Sequence, residues 1–126
     1  MAGELVLIVE DNEKNMKLVR DVLQATGYSP LEASTGEEAL VLAAENDTAL
    51  VLMDIQLPDL DGAAALQRLR ADERTARVPV LALTAQAMQG DRERFLAAGF
   101  DGYLSKPIDV DELIETVRRY CDGDTA

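Results

Sequence analysis

Three apolar runs without alternating polar side chains constrain the fold of this chain most. Residues Leu5–Val9, Ala49–Met53 and Val78–Thr84 read LVLIV, ALVLM and VPVLALT. A strand with one face in water alternates apolar and polar residues, whereas a strand buried on both faces is apolar nearly throughout. The three runs therefore predict central strands of a parallel sheet that helices cover on both faces.

Helical patterns and two shorter strands fill the intervals between these runs. The predicted helices are residues 13–26, a segment that opens at the Thr35–Glu38 capping box, residues near 62–71, residues 91–98, and a segment capped by Asp109–Glu112. The shorter strands are Ser29–Ala33, where Pro30 indicates a position near a sheet edge, and the segment GYLSKP. Strands and helices therefore alternate from one end of the chain to the other.

Five strand–helix pairs in this order predict a single α/β domain. Connection rules favour a flavodoxin-like, doubly wound five-stranded parallel sheet of order 2-1-3-4-5 with five helices. We expect one domain over residues 1–126, with its core at about 4–121 and short flexible ends. In such a sheet the ligand site forms outside the carboxyl ends of the strands, so the residues that follow the strands carry the functional information.

Charge and cysteine content exclude several classes of function. The formal net charge is −12, from 24 acidic and 12 basic residues, which argues against a stand-alone DNA-binding regulator because the field would repel phosphates. The single Cys121 cannot form an internal disulfide, and the chain has no His to activate it as a nucleophile. No segment resembles a signal peptide or a membrane span, so a cytoplasmic protein is the expectation.

The residues that end the strands combine three carboxylates, a hydroxyl and an ammonium. Glu10 and Asp11 follow the first strand, Asp54 the third and Thr84 the fourth, and Lys106 follows the last. Three uncompensated carboxylates would raise one another's pKa values, and a divalent cation relieves that conflict. Oxygen ligands, with no His or Cys cluster, suit Mg²⁺ better than Zn²⁺.

A phosphoryl group would suit the other half of the same crevice. Lys106 and Thr84 could contact its oxygens, and Asp54 is then the natural nucleophile because a carboxylate that attacks phosphorus gives an acyl phosphate. Each residue also has a structural alternative. Asp11 or Asn12 could simply cap the first helix, Thr84 could be a turn hydroxyl, and Lys106 could be an exposed charge.

Four segments carry a resemblance to a known family. LIVEDN, LVLMDIQLPDLDG, LALTA and GYLSKP occur in order and at suitable separations. In them the chain resembles a response-regulator receiver domain of two-component signalling, over essentially its whole length. The segments EDNEKNMKLV and TAQAMQGDRERFLAAG are also similar to single-domain regulators of the DivK type and to receivers carried by hybrid kinases.

The resemblance implies a role for each acidic residue. Asp54 would accept a phosphoryl group from a kinase phosphohistidine. Asp11, the Asp54 side chain and the backbone carbonyl of Gln56 would bind Mg²⁺, with Glu10 acting through water in a place where many members have Asp. Gln56 and Gln86 stand at positions that tune phosphoryl lifetime in this family.

The resemblance also implies a switch. Lys106 would contact the phosphoryl oxygens, and Thr84 would bond to them once Asp54 is phosphorylated. Tyr103, which matches the switch aromatic of the family, would then turn inward; the structural alternative for it is an amphipathic edge residue with its hydroxyl in water. A cis peptide bond is expected before Pro107.

The expected function is that of a stand-alone response regulator. It would not be an enzyme in the ordinary sense, although it would assist its own phosphotransfer and dephosphorylation. Its partners would be a histidine kinase or a histidine phosphotransfer protein, and a downstream protein that contacts the fourth helix, last strand and last helix. The polar tail favours a complete protein, and the alternatives are a receiver fragment of a hybrid histidine kinase and a phosphate-independent interaction module.

Two further classes fit the sequence less well. A Mg²⁺-dependent phosphohydrolase with an Asp nucleophile usually carries a second Asp two positions later, and here that position is Gln56. A flavodoxin-like FMN module has the same fold, but Glu10 and Asp11 would repel its phosphate.

Overall fold

The computed structural model describes residues 3–85 and 91–121, in which strands and helices alternate strictly. The elements are β1 (Leu5–Val9), α1 (Glu13–Ala25), β2 (Ser29–Ala33), α2 (Gly36–Glu45), β3 (Thr48–Asp54), α3 (Gly62–Ala71), β4 (Val80–Thr84), α4 (Asp91–Ala98), β5 (Gly102–Ser105) and α5 (Val110–Cys121). In this part of the chain no helix has the length and apolar character needed to cross a membrane.

The strands form one parallel sheet in the order β2-β1-β3-β4-β5. This confirms the predicted doubly wound topology. β2 lies at an edge of the sheet, as Pro30 indicated. The winding direction reverses between β1 and β3, which places the ends of these two strands at the crevice where such folds bind ligands.

Two apolar cores, one on each face of the sheet, explain why the central strands lack alternation. On one face α1 and α5 contribute Met16, Val19, Leu23, Leu113 and Val117, packed on Val6, Ile8, Leu50, Leu52, Leu81 and Leu83. On the other face α2, α3 and α4 contribute Ala39, Ala43, Ala65, Leu66, Leu69 and Phe95, packed on Leu7, Val9, Val51, Met53, Val80 and Ala82. Neighbouring residues of one strand thus enter opposite cores, and both must be apolar.

Strand β4 is shorter than the apolar run predicts. It begins at Val80 and not at Val78. Pro79 has no N–H to donate to a neighbouring strand, and the Val78 carbonyl accepts a hydrogen bond from the Arg70 side chain. Val78 is therefore bonded to α3 as part of a loop, and the contact with β3 begins at the Pro79 carbonyl, which accepts the Val51 N–H at 2.9 Å.

The capping box predicted at the start of α2 forms only in half. The Thr35 hydroxyl accepts the Glu38 N–H at 3.1 Å, as expected. The Glu38 carboxylate, however, accepts the N–H of Ser34 at 2.8 Å and not that of Thr35. The reciprocal bond is thus displaced by one residue toward the preceding loop.

Candidate functional site at the carboxyl ends of the strands

The sheet brings three carboxylates together where β1 and β3 end. Val9 pairs with Met53 in the sheet, so Glu10 and Asp54, the next residues, lie side by side. Glu10 and Asp54 are buried, whereas Asp11 is exposed. One carboxylate oxygen from each of the three residues lies within 4.8 Å of the others. The predicted convergence of these residues is therefore present in the structure.

The cap of α1 is Asn12, and this leaves the Asp11 carboxylate available. The Asn12 side-chain oxygen accepts the N–H groups of Lys14 at 2.9 Å and Asn15 at 3.1 Å. Of the two capping alternatives that the sequence left open, the structure uses the amide. Asp11 therefore has no capping function at this helix.

Lys106 pairs with both buried carboxylates. Its Nζ lies 3.0 Å from Asp54 Oδ2, to which it donates a hydrogen bond, and 2.8 Å from Glu10 Oε1 in a contact ion pair. The backbone of Lys106 is held as well, since its N–H donates to the Thr84 carbonyl at 2.7 Å. The peptide bond between Lys106 and Pro107 is cis, as the resemblance implied.

Burial decides the pKa shift of Glu10, whereas the contacts with the two carboxylates decide that of Lys106. Desolvation raises the pKa of Glu10 above its ordinary value, and Asp54 adds to the rise, while Lys106 and the Asn12 N–H oppose it. Burial by itself lowers the pKa of Lys106, but its contacts with the two carboxylates outweigh that loss and leave its pKa raised. Lys106 thus stays an ammonium at neutral pH, between two carboxylates that compete for it.

The loop after β3 is closed at its base. The Gln56 N–H donates to Asp54 Oδ1 at 2.9 Å, and the Gly62 N–H donates to the Ile55 carbonyl at 3.0 Å. Gln56 also forms an isolated antiparallel bridge with Asp61, whose side chain caps α3 through the Ala64 N–H at 2.7 Å. Both oxygens of Asp54 therefore have a donor, Gln56 on one and Lys106 on the other.

Of the remaining predicted residues, Thr84 and Tyr103 lie in the described part of the chain. Thr84 is buried at the end of β4, and Asp54 pairs in the sheet with Leu83, immediately before it. Tyr103 is half-buried on β5, and its ring centroid lies 5.6 Å from that of Phe95. Gln86 lies outside the described residues.

The donor set fits a hard divalent cation. The carboxylates of Glu10, Asp11 and Asp54 carry three negative charges, and Lys106 supplies one positive charge. All of the clustered ligand atoms are oxygens, and Asp11 is open to solvent, so bound water could complete an octahedral shell. Oxygen ligands with solvent access suit Mg²⁺ and similar ions.

Two features of the site were not predicted from the sequence. One is the ion pair between Lys106 and Glu10, residues far apart in the chain. The other is Asp59, whose carboxylate accepts the backbone N–H groups of Gly36 at 2.7 Å and Glu37 at 3.0 Å. No local pattern signals either contact, because each depends on how separate elements pack.

Comparison with known proteins gives consistent matches. Residues 6–118 match the family model described as the response regulator receiver domain. The chain is 50% identical over 115 residues to the polar-differentiation response regulator DivK of Brucella ovis, a match that covers 91% of this chain and 94% of that protein.

Solved structures agree with the sequence matches. The receiver domain of a Pseudomonas aeruginosa sensor histidine kinase, with a magnesium ion in its active site cleft, superposes with a TM-score of 0.87 at 40% identity, covering 96% of this chain and 99% of that one. The receiver domain of a Saccharomyces cerevisiae response regulator, solved with a histidine phosphotransfer signalling protein, superposes with a TM-score of 0.87 at 30% identity, covering 99% and 93%.

Proposed function

The chain belongs to the response-regulator receiver family of two-component and phosphorelay signalling, and from this premise we propose that Asp54 accepts a phosphoryl group from a phosphohistidine of a partner protein. The observation that supports this most directly is the position of Asp54. It is a buried carboxylate at the end of a central strand, beside two further carboxylates and one ammonium.

The transfer is a displacement at phosphorus. A carboxylate oxygen of Asp54 forms the new bond to phosphorus while the bond from phosphorus to the histidine nitrogen breaks, and the electron pair of that bond stays on the imidazole. Because Lys106 contacts both Glu10 and Asp54, it can stay paired with Glu10 while its ammonium turns to the incoming phosphoryl oxygens. Negative charge that develops on those oxygens therefore meets a donor already held in place.

The acidic residues have a separate role in this proposal. Glu10, Asp11, Asp54 and the Gln56 carbonyl would hold Mg²⁺, with Glu10 acting through water. When bound, the ion neutralises charge on the phosphoryl oxygens and orients the group for in-line attack. The charge balance of the site supports this role, since one ammonium faces three carboxylates.

The output of the switch would be a change in protein contacts. Phosphorylation adds charge and acceptor oxygens next to Thr84, whose hydroxyl would bond to them. Tyr103 lies on the edge strand β5, where its ring packs against Phe95 of α4. An inward turn of this ring would alter the surface formed by α4, β5 and α5. We infer that a downstream protein binds there, and that a histidine kinase or a histidine phosphotransfer protein is the donor. In this proposal Gln56 and Gln86 tune the lifetime of the phosphoryl group.

Intact mass after incubation with acetyl phosphate tests the proposal. We expect one phosphoryl adduct on the wild-type protein that requires Mg²⁺ and is absent from Asp54→Asn. Asp72→Asn is the matched control, since Asp72 lies at the other end of α3 and this variant should be phosphorylated like wild type. An unmodified wild-type protein, also with a phosphorylated histidine kinase as donor, would contradict the proposal and favour a phosphate-independent interaction module.

A further inference from the structure

Asp59 fastens the tip of the loop between β3 and α3 to the start of α2. Its two carboxylate oxygens accept the N–H groups of Gly36 at 2.7 Å and Glu37 at 3.0 Å, the first residues of that helix. These bonds lower the pKa of the exposed Asp59 carboxyl below its ordinary value. Thr35 accepts the next helical N–H, from Glu38, so two separate segments share the capping of α2.

Side-chain packing at the same contact leaves the loop tip little freedom. A Cβ atom added to Gly36 would lie 3.0 Å from both Cβ and Cδ1 of Leu60, so Leu60 packs directly against the glycine backbone. Nearby, Arg68 of α3 forms an ion pair with Glu37 of α2 at 2.6 Å. The tip of the loop is therefore held by hydrogen bonds, and by van der Waals contact beside them.

The base of this loop is held by a different set of contacts. Gly62 donates to the Ile55 carbonyl, and Gln56 forms a bridge with Asp61. The short segment between β3 and α3 is thus fixed at its base by the end of β3 and at its tip by α2. Gln56, whose carbonyl we assign to the cation, lies on this segment.

We propose that Asp59 is a positioning residue for the cation site, acting by holding the loop that presents the Gln56 carbonyl. This inference rests on the proposed function. Mg²⁺ demands near-ideal octahedral geometry. A loop that moves by a fraction of an ångström therefore shifts its carbonyl oxygen away from the octahedral position, and the ion binds more weakly. Asp59 accepts hydrogen bonds from the start of α2 and is not one of the three clustered carboxylates, so its effect on the site passes through the backbone between residues 56 and 59.

Metal titration separates this role from a purely structural one. Binding of Mn²⁺, an oxygen-preferring substitute, is followed by the paramagnetic resonance of the free ion, and Mg²⁺ by competition. We expect Asp59→Ala to bind both ions about tenfold more weakly, within the range seen when groups that orient metal ligands are removed. Asp59→Asn keeps one acceptor oxygen and should fall between Asp59→Ala and wild type.

Asp72→Ala is the matched control, and the phosphorylation rate gives a second readout. Asp72 also accepts a backbone N–H, that of Arg74 at 2.9 Å, but it lies at the far end of α3, and its loss should leave metal affinity unchanged. Phosphorylation of Asp59→Ala by acetyl phosphate should be slow at low Mg²⁺ and approach the wild-type rate at saturating Mg²⁺. Because Mg²⁺ would also stabilise a weakened fold, both rates are compared at a temperature where circular dichroism shows Asp59→Ala to be fully folded without Mg²⁺.

The outcomes distinguish failure of this inference from failure of the proposed function. Wild-type metal affinity in Asp59→Ala, with a loss of thermal stability like that of Asp72→Ala, would overturn the positioning role alone. A wild-type protein that takes up neither ion would overturn the cation site itself, and this inference with it. Weaker binding in Asp59→Ala, intermediate binding in Asp59→Asn and unchanged binding in Asp72→Ala would together establish the positioning role.

Discussion

At the scale of single residues, the site is defined by one ammonium shared between two buried carboxylates. Lys106 lies 2.8 Å from Glu10 and 3.0 Å from Asp54. Bringing charged groups out of water costs free energy that one ion pair only partly offsets. The metal-free site is therefore a locally unfavourable arrangement, held in place by the strands that deliver it. A group that binds there, whether cation or phosphoryl, meets side chains already in position.

Replacing Glu10 by Gln should stabilise the metal-free protein at neutral pH. Burial raises the pKa of Glu10, so the folded protein holds this proton more tightly than the unfolded chain does. The contribution of Glu10 to the free energy of unfolding therefore falls as the pH rises from its ordinary pKa of 4.5 through its raised folded value. With a metal chelator present, we expect Glu10→Gln to have a higher free energy of unfolding than wild type at pH 7. The two values should approach each other as the pH falls toward 4.5.

Urea unfolding at a series of pH values measures this difference. Glu73→Gln is the control, because Glu73 is exposed and the substitution removes the same charge. It should follow wild type at every pH. A stability difference between Glu10→Gln and wild type that stays constant over the series would contradict the titration of Glu10 as its cause.

At the scale of elements, the start of α1 depends on one amide side chain. Asn12 accepts the N–H groups of Lys14 and Asn15, so Asn12→Ala leaves both without this partner. We expect a loss of about 1 kcal/mol in the free energy of unfolding, the usual cost of removing such a cap. Asn12→Asp keeps an acceptor oxygen and should lose less. Urea unfolding in chelator tests this, and an equal loss in both variants would mean that the capping bonds contribute little.

The start of α3 depends on the absence of a side chain at Gly62. A Cβ atom there would lie 2.7 Å from the Cα of Ile55, which is backbone and cannot move aside cheaply. We expect Gly62→Ala to lower the free energy of unfolding by about 2 kcal/mol, within the range for overpacked sites. It should also weaken Mg²⁺ binding, since the same contact holds the loop after Asp54.

A second glycine serves as the comparison for Gly62. A Cβ atom at Gly102 would lie 3.2 Å from Leu81 Cδ2 and 3.3 Å from the Tyr120 hydroxyl, both side-chain atoms that would need to shift by only a few tenths of an ångström. Gly102→Ala should therefore change stability little. Urea unfolding of the two variants side by side measures the contrast, and equal losses would show that crowding at Ile55 is not the cause.

The elements and their order could be predicted because each leaves a local pattern. The apolar runs of β1 and β3, buried on both faces, specify the parallel sheet, and Pro30 marks its edge. The sequence predicts the bounds of an element less well where a side chain from a distant segment bonds to the backbone there. The predicted start of β4 was two residues too early, because the Arg70 side chain of α3 donates a hydrogen bond to the Val78 carbonyl. No sequence pattern near Val78 signals that contact.

At the scale of the whole molecule, the topology assembles the site from residues that are distant in sequence. The convergence of Glu10, Asp11, Asp54 and Lys106 followed from placing their strands in the order that the connections favour. The pairing of Lys106 with Glu10 as well as with Asp54 did not follow from that order, because the reach of a flexible side chain is settled only by packing. Strand order thus predicts which residues meet, and packing decides how they pair.

Because the whole molecule carries a large negative charge, any cation stabilises it by screening the repulsion between its acidic groups. The stabilisation that Mg²⁺ produces at a specific site must therefore be measured apart from this screening. The net charge is −12, and salt weakens the repulsion that this charge produces. A specific site adds a term that saturates with ligand concentration, of about 1.4 kcal/mol at ten times the dissociation constant. For a chain of 126 residues this corresponds to about 5 °C in melting temperature.

We therefore expect Mg²⁺ to raise the melting temperature of the wild-type protein by about 5 °C more than NaCl at matched ionic strength. Asp54→Asn removes one cation ligand and one of the two carboxylates that compete for Lys106, so it should melt higher than wild type in chelator and gain less from Mg²⁺. Asp72→Asn should keep the full response to Mg²⁺, since Asp72 lies at the opposite end of α3. Differential scanning calorimetry in chelator, NaCl and Mg²⁺ gives all of these values. An Mg²⁺ effect equal to that of NaCl would show that this ion acts on the field of the whole molecule and not at the three carboxylates.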